Sequence, residues 1–232
     1  MTEFHEATRS LTSVLAPVER RVLVWIAARM PRWLNSDHLT GLAFTAMLFS
    51  GLSYWLARVT SVGLLLAAAG LAVNWFGDSL DGTLARVRRH QRPRYGFYID
   101  HVVDAVGAVF LLGGLGLSGY MSPLVALGLL AAYLLLLVET FLATYALGHF
   151  TMSYFKIGPT ELRILLAIGN LVLLVHPTAN VFGREFLLFD VGGLVATCGI
   201  TGTLAVATAR HTRALYAAEP LPGASIARSR CA

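Results

Sequence analysis

Residues 105–138 read AVGAVFLLGGLGLSGYMSPLVALGLLAAYLLLLV, 34 positions without an Asp, Glu, Lys or Arg. A helix needs about 20 apolar residues to cross the hydrocarbon core of a bilayer, so this stretch holds most of two crossings. Ser118-Gly119-Tyr120-Met121-Ser122-Pro123 in its middle is turn chemistry. The reading is two antiparallel membrane helices joined by a tight turn. Outward from it, charge-free stretches recur at 38–57, 59–77, 140–155, 164–183 and 191–209. Six spans follow, near 38–58, 61–81, 97–118, 123–147, 161–180 and 187–209, and the expected fold class is an all-α integral membrane protein with six transmembrane helices.

Composition agrees. Hydrophobic residues make up 56% of the 232, charged ones only 13%, and mean hydropathy is +0.66. That charged share is about half of what a soluble globular protein carries, which excludes a disordered chain and argues against a water-soluble one. The two cysteines, Cys198 and Cys231, provide neither a disulfide framework nor metal-ligand spacing.

Orientation comes from Lys and Arg, which stay on the cytoplasmic side when they lie in short loops. Of the 18, only Arg58 and Arg184 fall on one side of the six spans; the rest lie in the N-terminal segment, the 82–96 loop, the 148–163 loop and the segment from 210. Both ends of the chain are therefore expected in the cytoplasm. Residues 14–34, VLAPVERRVLVWIAARMPRWL, interleave aromatic and aliphatic residues with arginines. They read as an amphipathic helix lying on the anionic inner leaflet, with a soluble tail helix as the alternative. The expected layout is an N-terminal cytoplasmic or interfacial segment over 1–37, the membrane domain over 38–209, and a cytoplasmic tail over 210–232. The arginines and glutamates of the first 34 residues break any signal-peptide core.

Ionisable groups in membrane spans are costly and mark function. Here Asp78 and Asp81 close the second span and Asp100 and Asp104 open the third. Spacings of three and four place each pair on one helix face, and antiparallel neighbours joined by a short loop would bring the pairs together. Four carboxylates at one membrane boundary need cations between them. All-oxygen ligation suits hard divalent ions, Mg²⁺ first, with Mn²⁺ or Ca²⁺ as alternatives. Gly82 and Ala85 would let a ligand approach the backbone, and Arg86 with the basic run to Arg94 favours phosphates. A diphosphate is the natural guest.

Asp78-x-x-Asp81-Gly82-x-x-Ala85-Arg86 followed by Gly96-x-x-x-Asp100-x-x-x-Asp104 resembles the signature of the CDP-alcohol phosphotransferase family, integral membrane enzymes of phospholipid synthesis. Asn35-x-x-His38-Leu39-Thr40 is loosely similar to the family's usual opening. In one departure, nine residues, Val87 to Tyr95, separate Arg86 from Gly96, where the family usually has seven or eight. The extra residue should be absorbed outside the helices.

The resemblance implies that Asp78, Asp81 and Asp100 bind Mg²⁺, that Asp104 is the general base and able to serve as a further metal ligand, and that Gly82, Ala85 and Gly96 shape the nucleotide cleft with Arg86 close to it. It implies transfer of a phosphatidyl or related group from a CDP-alcohol donor to an alcohol acceptor, releasing CMP. CDP-diacylglycerol is the expected donor, with glycerol 3-phosphate, serine or an inositol phosphate as acceptor; a CDP-amino-alcohol donor with diacylglycerol as acceptor is the alternative. A homodimer in the bacterial inner membrane, with its active site facing the cytoplasm and no nucleic-acid partner, is expected.

Other residues are less decided. Glu139 lines an acceptor pocket or bonds a neighbouring helix. Glu161 fits a helix start, and Lys156 and Arg163 are candidates for an acceptor phosphate. His101 should face away from Asp100 and Asp104 and pack. Two other classes compete: a membrane prenyltransferase, which would carry two separate aspartate motifs, and a cation transporter, whose acids would sit at mid-membrane with an inverted repeat.

Overall fold

A computed structural model describes residues 8–10, 16–147, 149–151 and 159–219, and among them the chain is almost wholly helical. The helices are α1 (Ala16–Arg29), α2 (Ser36–Ala57), α3 (Val62–Val87), α4 (Pro93–Leu117), α5 (Pro123–Leu147), α6 (Pro159–Leu173) and α7 (Leu188–Ala218). Strands are few. β1 (Thr8–Ser10) pairs in parallel with β2 (His149–Thr151), and β3 (Thr178–Val181) forms a hairpin with β4 (Arg184–Leu187). Five helices, α2 to α5 and α7, are long and apolar enough to cross a membrane. Bulky apolar side chains such as Leu124, Leu127, Leu142 and Val195 point outward, as they must where the solvent is lipid. This is an integral membrane protein.

The expected fifth span, 161–180, is not a helix of that length. α6 stops at Leu173 after 15 residues, about 22 Å at 1.5 Å per residue, against a core of about 30 Å. Pro177 lacks an N–H and keeps the residue before it out of the helical region. The chain then turns into the β3–β4 hairpin, whose loop residues Phe182 and Gly183 both have positive φ, 52° and 80°, as a type I′ turn requires. Charge counting treats the uncharged run as one helix because it cannot see that change of backbone. α7 also departs from expectation, continuing past 209 to Ala218, and α1 covers only part of 14–34.

α2 is the spine. Small residues on α3 bring the two backbones together: a Cβ on Gly63 would lie 2.4 Å from the Ala57 nitrogen, and one on Gly77 would lie 2.7 Å from the Leu39 carbonyl oxygen. Between them Asn74 donates to the Ala43 carbonyl at 2.9 Å. α4 crosses the opposite flank at Gly51 and Gly114, where a Cβ on Gly114 would sit 2.0 Å from the Gly51 oxygen. Close backbone approach through small residues is how membrane helices gain packing without a hydrophobic driving force. Both α3 and α4 therefore lean on α2 and scarcely touch each other, which corrects the expectation that they are direct neighbours.

The remaining helices close the sides. The α4–α5 turn is at Ser118–Ser122, with Gly119 at φ 83°. Asp190 at the start of α7 accepts hydrogen bonds from the Ser122 N–H and hydroxyl, and Glu139 of α5 meets His211 of α7, so α5 and α7 run parallel from the same side. α6 packs along α3, and Tyr54 of α2 donates to the buried Asn170 of α6 at 2.9 Å. α1 docks across one end, burying Leu23 and Ala27 on Leu39, Leu80 and Leu84 while Val22 and Trp25 stay exposed.

Candidate active site

Because α3 and α4 both pack on α2, their aspartate-bearing ends come together beside the start of α2, whose Thr40 meets Asp81. Asp81 is 5% exposed. Its carboxylate accepts a 2.6 Å hydrogen bond from the Thr40 hydroxyl and another from the Gly82 N–H, and its carbonyl accepts from the Ser36 hydroxyl. A buried carboxylate needs such donors. Asp78, one turn earlier on α3, pairs with the Arg163 guanidinium of α6 at 2.8 Å. Asp104 lies one turn deeper on α4 than Asp100 and is within electrostatic range of Asp78, Asp81, Asp100 and Arg163. Asp81 is within range of Asp78 and Asp100. The four acids thus share one locality.

As they stand they do not form a closed cage: among the described residues no three His, Cys, Asp or Glu side chains are gathered tightly enough to hold an ion. Two of the acids are turned to protein partners, Asp78 to Arg163 and Asp81 to Thr40 and Gly82. The donor set is nonetheless all carboxylate oxygen, the chemistry hard divalent cations take.

The cleft has room beside its backbone. A Cβ added at Gly96 would meet nothing within 4 Å, and one at Gly82 only the Arg86 guanidinium. Arg86 stands exposed on the rim and donates to Thr83. The basic loop is partly committed elsewhere. Arg88 donates to the carbonyls of Met30, Pro31 and Leu34, tying the α1–α2 connection down, and Arg92 pairs with Asp37. Of the nine residues between Arg86 and Gly96, only Arg88 to Arg92 lie outside α3 and α4.

A groove of about 360 Å³ runs from this locality between α3 and α6. Glu19, Trp75, Thr160 and Arg163 stand at its polar end, and Leu71, Ala72, Ile164 and Ala167 line the rest.

The family model for CDP-alcohol phosphatidyltransferase matches residues 33–211, a span that includes all four aspartates and every helix but α1 and the last turns of α7. The chain belongs to the CDP-alcohol phosphatidyltransferase family. It is also 28% identical over 178 residues to the archaetidylinositol phosphate synthase of Methanothermobacter thermautotrophicus, covering 74% of this chain and 84% of that one. As a member of the family it is a membrane transferase of phospholipid biosynthesis.

The structure also sorts the other candidates. His101 is buried, its ring 4.2 Å from Phe97 and 4.9 Å from Phe141, with Nδ1 on the Phe97 carbonyl, so it packs as expected. Glu139 bonds a neighbouring helix through His211. Thr160 is spent on Glu19 rather than on the start of its own helix. Lys156 lies outside the described residues. Ser36 and Tyr133 escape a reading of the sequence, and the opening motif that contains Thr40 does not show what Thr40 does. Thr40 and Ser36 support Asp81 from 41 and 45 positions away. Tyr133 of α5 lies within electrostatic range of Asp104, Arg163 and Asp78; its one signal is a phenol inside a leucine run.

Proposed function

We propose that this enzyme transfers a phosphatidyl group from CDP-diacylglycerol to the hydroxyl of a polar alcohol and releases CMP. The gathering of Asp78, Asp81, Asp100 and Asp104 within electrostatic range of one another, at the facing ends of α3 and α4, carries this reading. On it, Asp78, Asp81 and Asp100 hold Mg²⁺, which Mn²⁺ could replace, and Asp104 lies close enough to share it. The bound ion supplies charge neutralisation for the diphosphate.

The chain's own residues do the rest. Gly82, Ala85 and Gly96 leave space for the nucleotide against the backbone, and Arg86 on the rim offers a guanidinium to phosphate. Asp104, deeper than Asp100, takes the proton of the acceptor hydroxyl as its oxygen bonds to the lipid-side phosphorus. The bond from that phosphorus to the bridging oxygen breaks, and the electron pair leaves with CMP. Transfers of this kind depend mostly on positioning and charge. The apolar α3–α6 groove gives an acyl chain a path from the polar mouth into the bilayer. The relative's name makes an inositol phosphate the first acceptor to try.

The same reading takes α6 as a short crossing, the fifth of six. α5 ends at the aspartate side and α7 begins beside the start of α5, so the chain has to return between them. α1, with Trp25 and Arg29 stacked at 4.1 Å, then lies on the cytoplasmic leaflet of a bacterial inner membrane, and the enzyme works as a homodimer.

The test is to incubate the purified protein with labelled CDP-diacylglycerol, Mg²⁺ and a panel of alcohols, and to follow CMP. Release that requires both an acceptor and Mg²⁺, and that stops in excess EDTA, is expected. CMP from CDP-ethanolamine and diacylglycerol instead would move the enzyme to the amino-alcohol branch. Undiminished turnover after chelation would remove the metal from the site.

A further inference from the structure

We infer that Glu19 of α1 is a positioning residue that holds Arg163 of α6 against Asp78 of α3. One oxygen of Glu19 accepts three hydrogen bonds: from the Trp75 indole at 2.8 Å, the Ser79 hydroxyl at 3.2 Å and the Thr160 hydroxyl at 3.0 Å. Trp75 and Ser79 bracket Asp78 on α3, and Thr160 lies about one helical turn before Arg163 on α6. The Glu19 bridge and the Asp78–Arg163 pair therefore join the same two helices at the same level.

Below that level the groove lining of Leu71, Ala72, Ile164 and Ala167 is apolar and non-directional. The next directional hold on α6 is the Tyr54–Asn170 hydrogen bond about two turns further along, so at the level of Arg163 itself the Glu19 bridge is what sets the side chain's bearing. A slip of one residue in a helix turns a side chain through about 100°, which would carry the guanidinium off Asp78. Arg also has several rotatable bonds whose entropy opposes any one geometry. A carboxylate that grips α3 and α6 together fixes that register. Through it, the helix at the membrane surface is mechanically joined to the catalytic cleft.

This rests on the reading of Asp78 as a cation ligand in one respect: Arg163 and a divalent ion compete for the same carboxylate. The experiment uses the full chain in lipid nanodiscs, with Mn²⁺ titrated calorimetrically and amide hydrogen exchange followed over residues 160–166. Arg163→Ala should bind Mn²⁺ about tenfold more tightly, because a positive charge has left a partly buried cation site. Glu19→Gln and Glu19→Ala lose the same negative charge, so the comparison is between them. Glu19→Ala should bind Mn²⁺ about threefold more tightly than Glu19→Gln, because the released guanidinium then repels the ion from a greater distance, and should exchange faster in the first turns of α6. The double variant should bind no more tightly than Arg163→Ala alone. Glu19→Gln retains an acceptor oxygen for the three donors and should keep wild-type exchange over 160–166.

A purely structural Glu19 would instead weaken Mn²⁺ binding together with thermal stability, add to Arg163→Ala, and overturn the inference. Unchanged exchange over 160–166 in Glu19→Ala would also overturn it. Should that variant fail to fold, Thr160→Val, which deletes only the α6 arm, carries the same expectations and is overturned by the same results. If wild type binds no Mn²⁺, the metal reading fails, and exchange in the variants alone decides whether Glu19 positions α6.

Discussion

Asp104→Asn is expected to lower turnover by a factor of about 100 to 10,000, the range general base catalysis contributes, while leaving binding of the CDP donor largely intact. Asparagine keeps the size and one oxygen of the side chain but accepts no proton at neutral pH. The donor's diphosphate is assigned to the mouth of the cleft, by Gly82, Arg86 and Gly96, one turn above Asp104, so its affinity should barely change. The measurement pairs CMP release with calorimetric binding of CDP-diacylglycerol. Turnover near wild type in the purified variant would strip Asp104 of the base role. Loss of donor binding in parallel with turnover would make it a metal ligand first.

Gly114→Ala is expected to be the most damaging Gly→Ala change among the described glycines. The added Cβ would lie 2.0 Å from the Gly51 oxygen and 2.6 Å from its carbonyl carbon and Cα. Those are backbone atoms, so no rotamer change can relieve the clash and α4 must lift off α2. Overpacking of a rigid contact costs typically 1–3 kcal/mol and sometimes more; with backbone on both sides, about 3 kcal/mol or more is expected here. Gly113→Ala is the internal control, since a Cβ there meets nothing within 4 Å. Thermal unfolding in detergent should separate the two clearly, with Gly113→Ala close to wild type. Equal melting temperatures would mean that α2 and α4 do not cross at Gly51 and Gly114. Because the start of α2 carries Thr40 behind Asp81, the variant should also lose activity before it unfolds.

Much of the site is legible in the sequence because its chemistry is local. Asp78 and Asp81, and Asp100 and Asp104, are joined by helical spacing, and the period of the helix is enough to place each pair on one face. Glu19, Ser36 and Tyr133 are not legible, and Thr40 is legible only as the last position of the Asn35-x-x-His38-Leu39-Thr40 opening, since each meets its partners from another helix. The basic loop misleads in the opposite direction. Arg88 and Arg92 look like phosphate ligands in a row of arginines, yet their guanidiniums hold the α1–α2 connection and Asp37.

The chain alone determined a polytopic helical membrane protein and the grouping of its acids in two helical pairs, because hydropathy and helical period are properties of short windows. Tertiary structure decided that α3 and α4 lean on α2 instead of on each other, that α6 ends at Leu173, and that Arg163 answers Asp78. Those outcomes depend on which small residues let which backbones approach, and on which distant donors a buried carboxylate finds. No short window contains both partners.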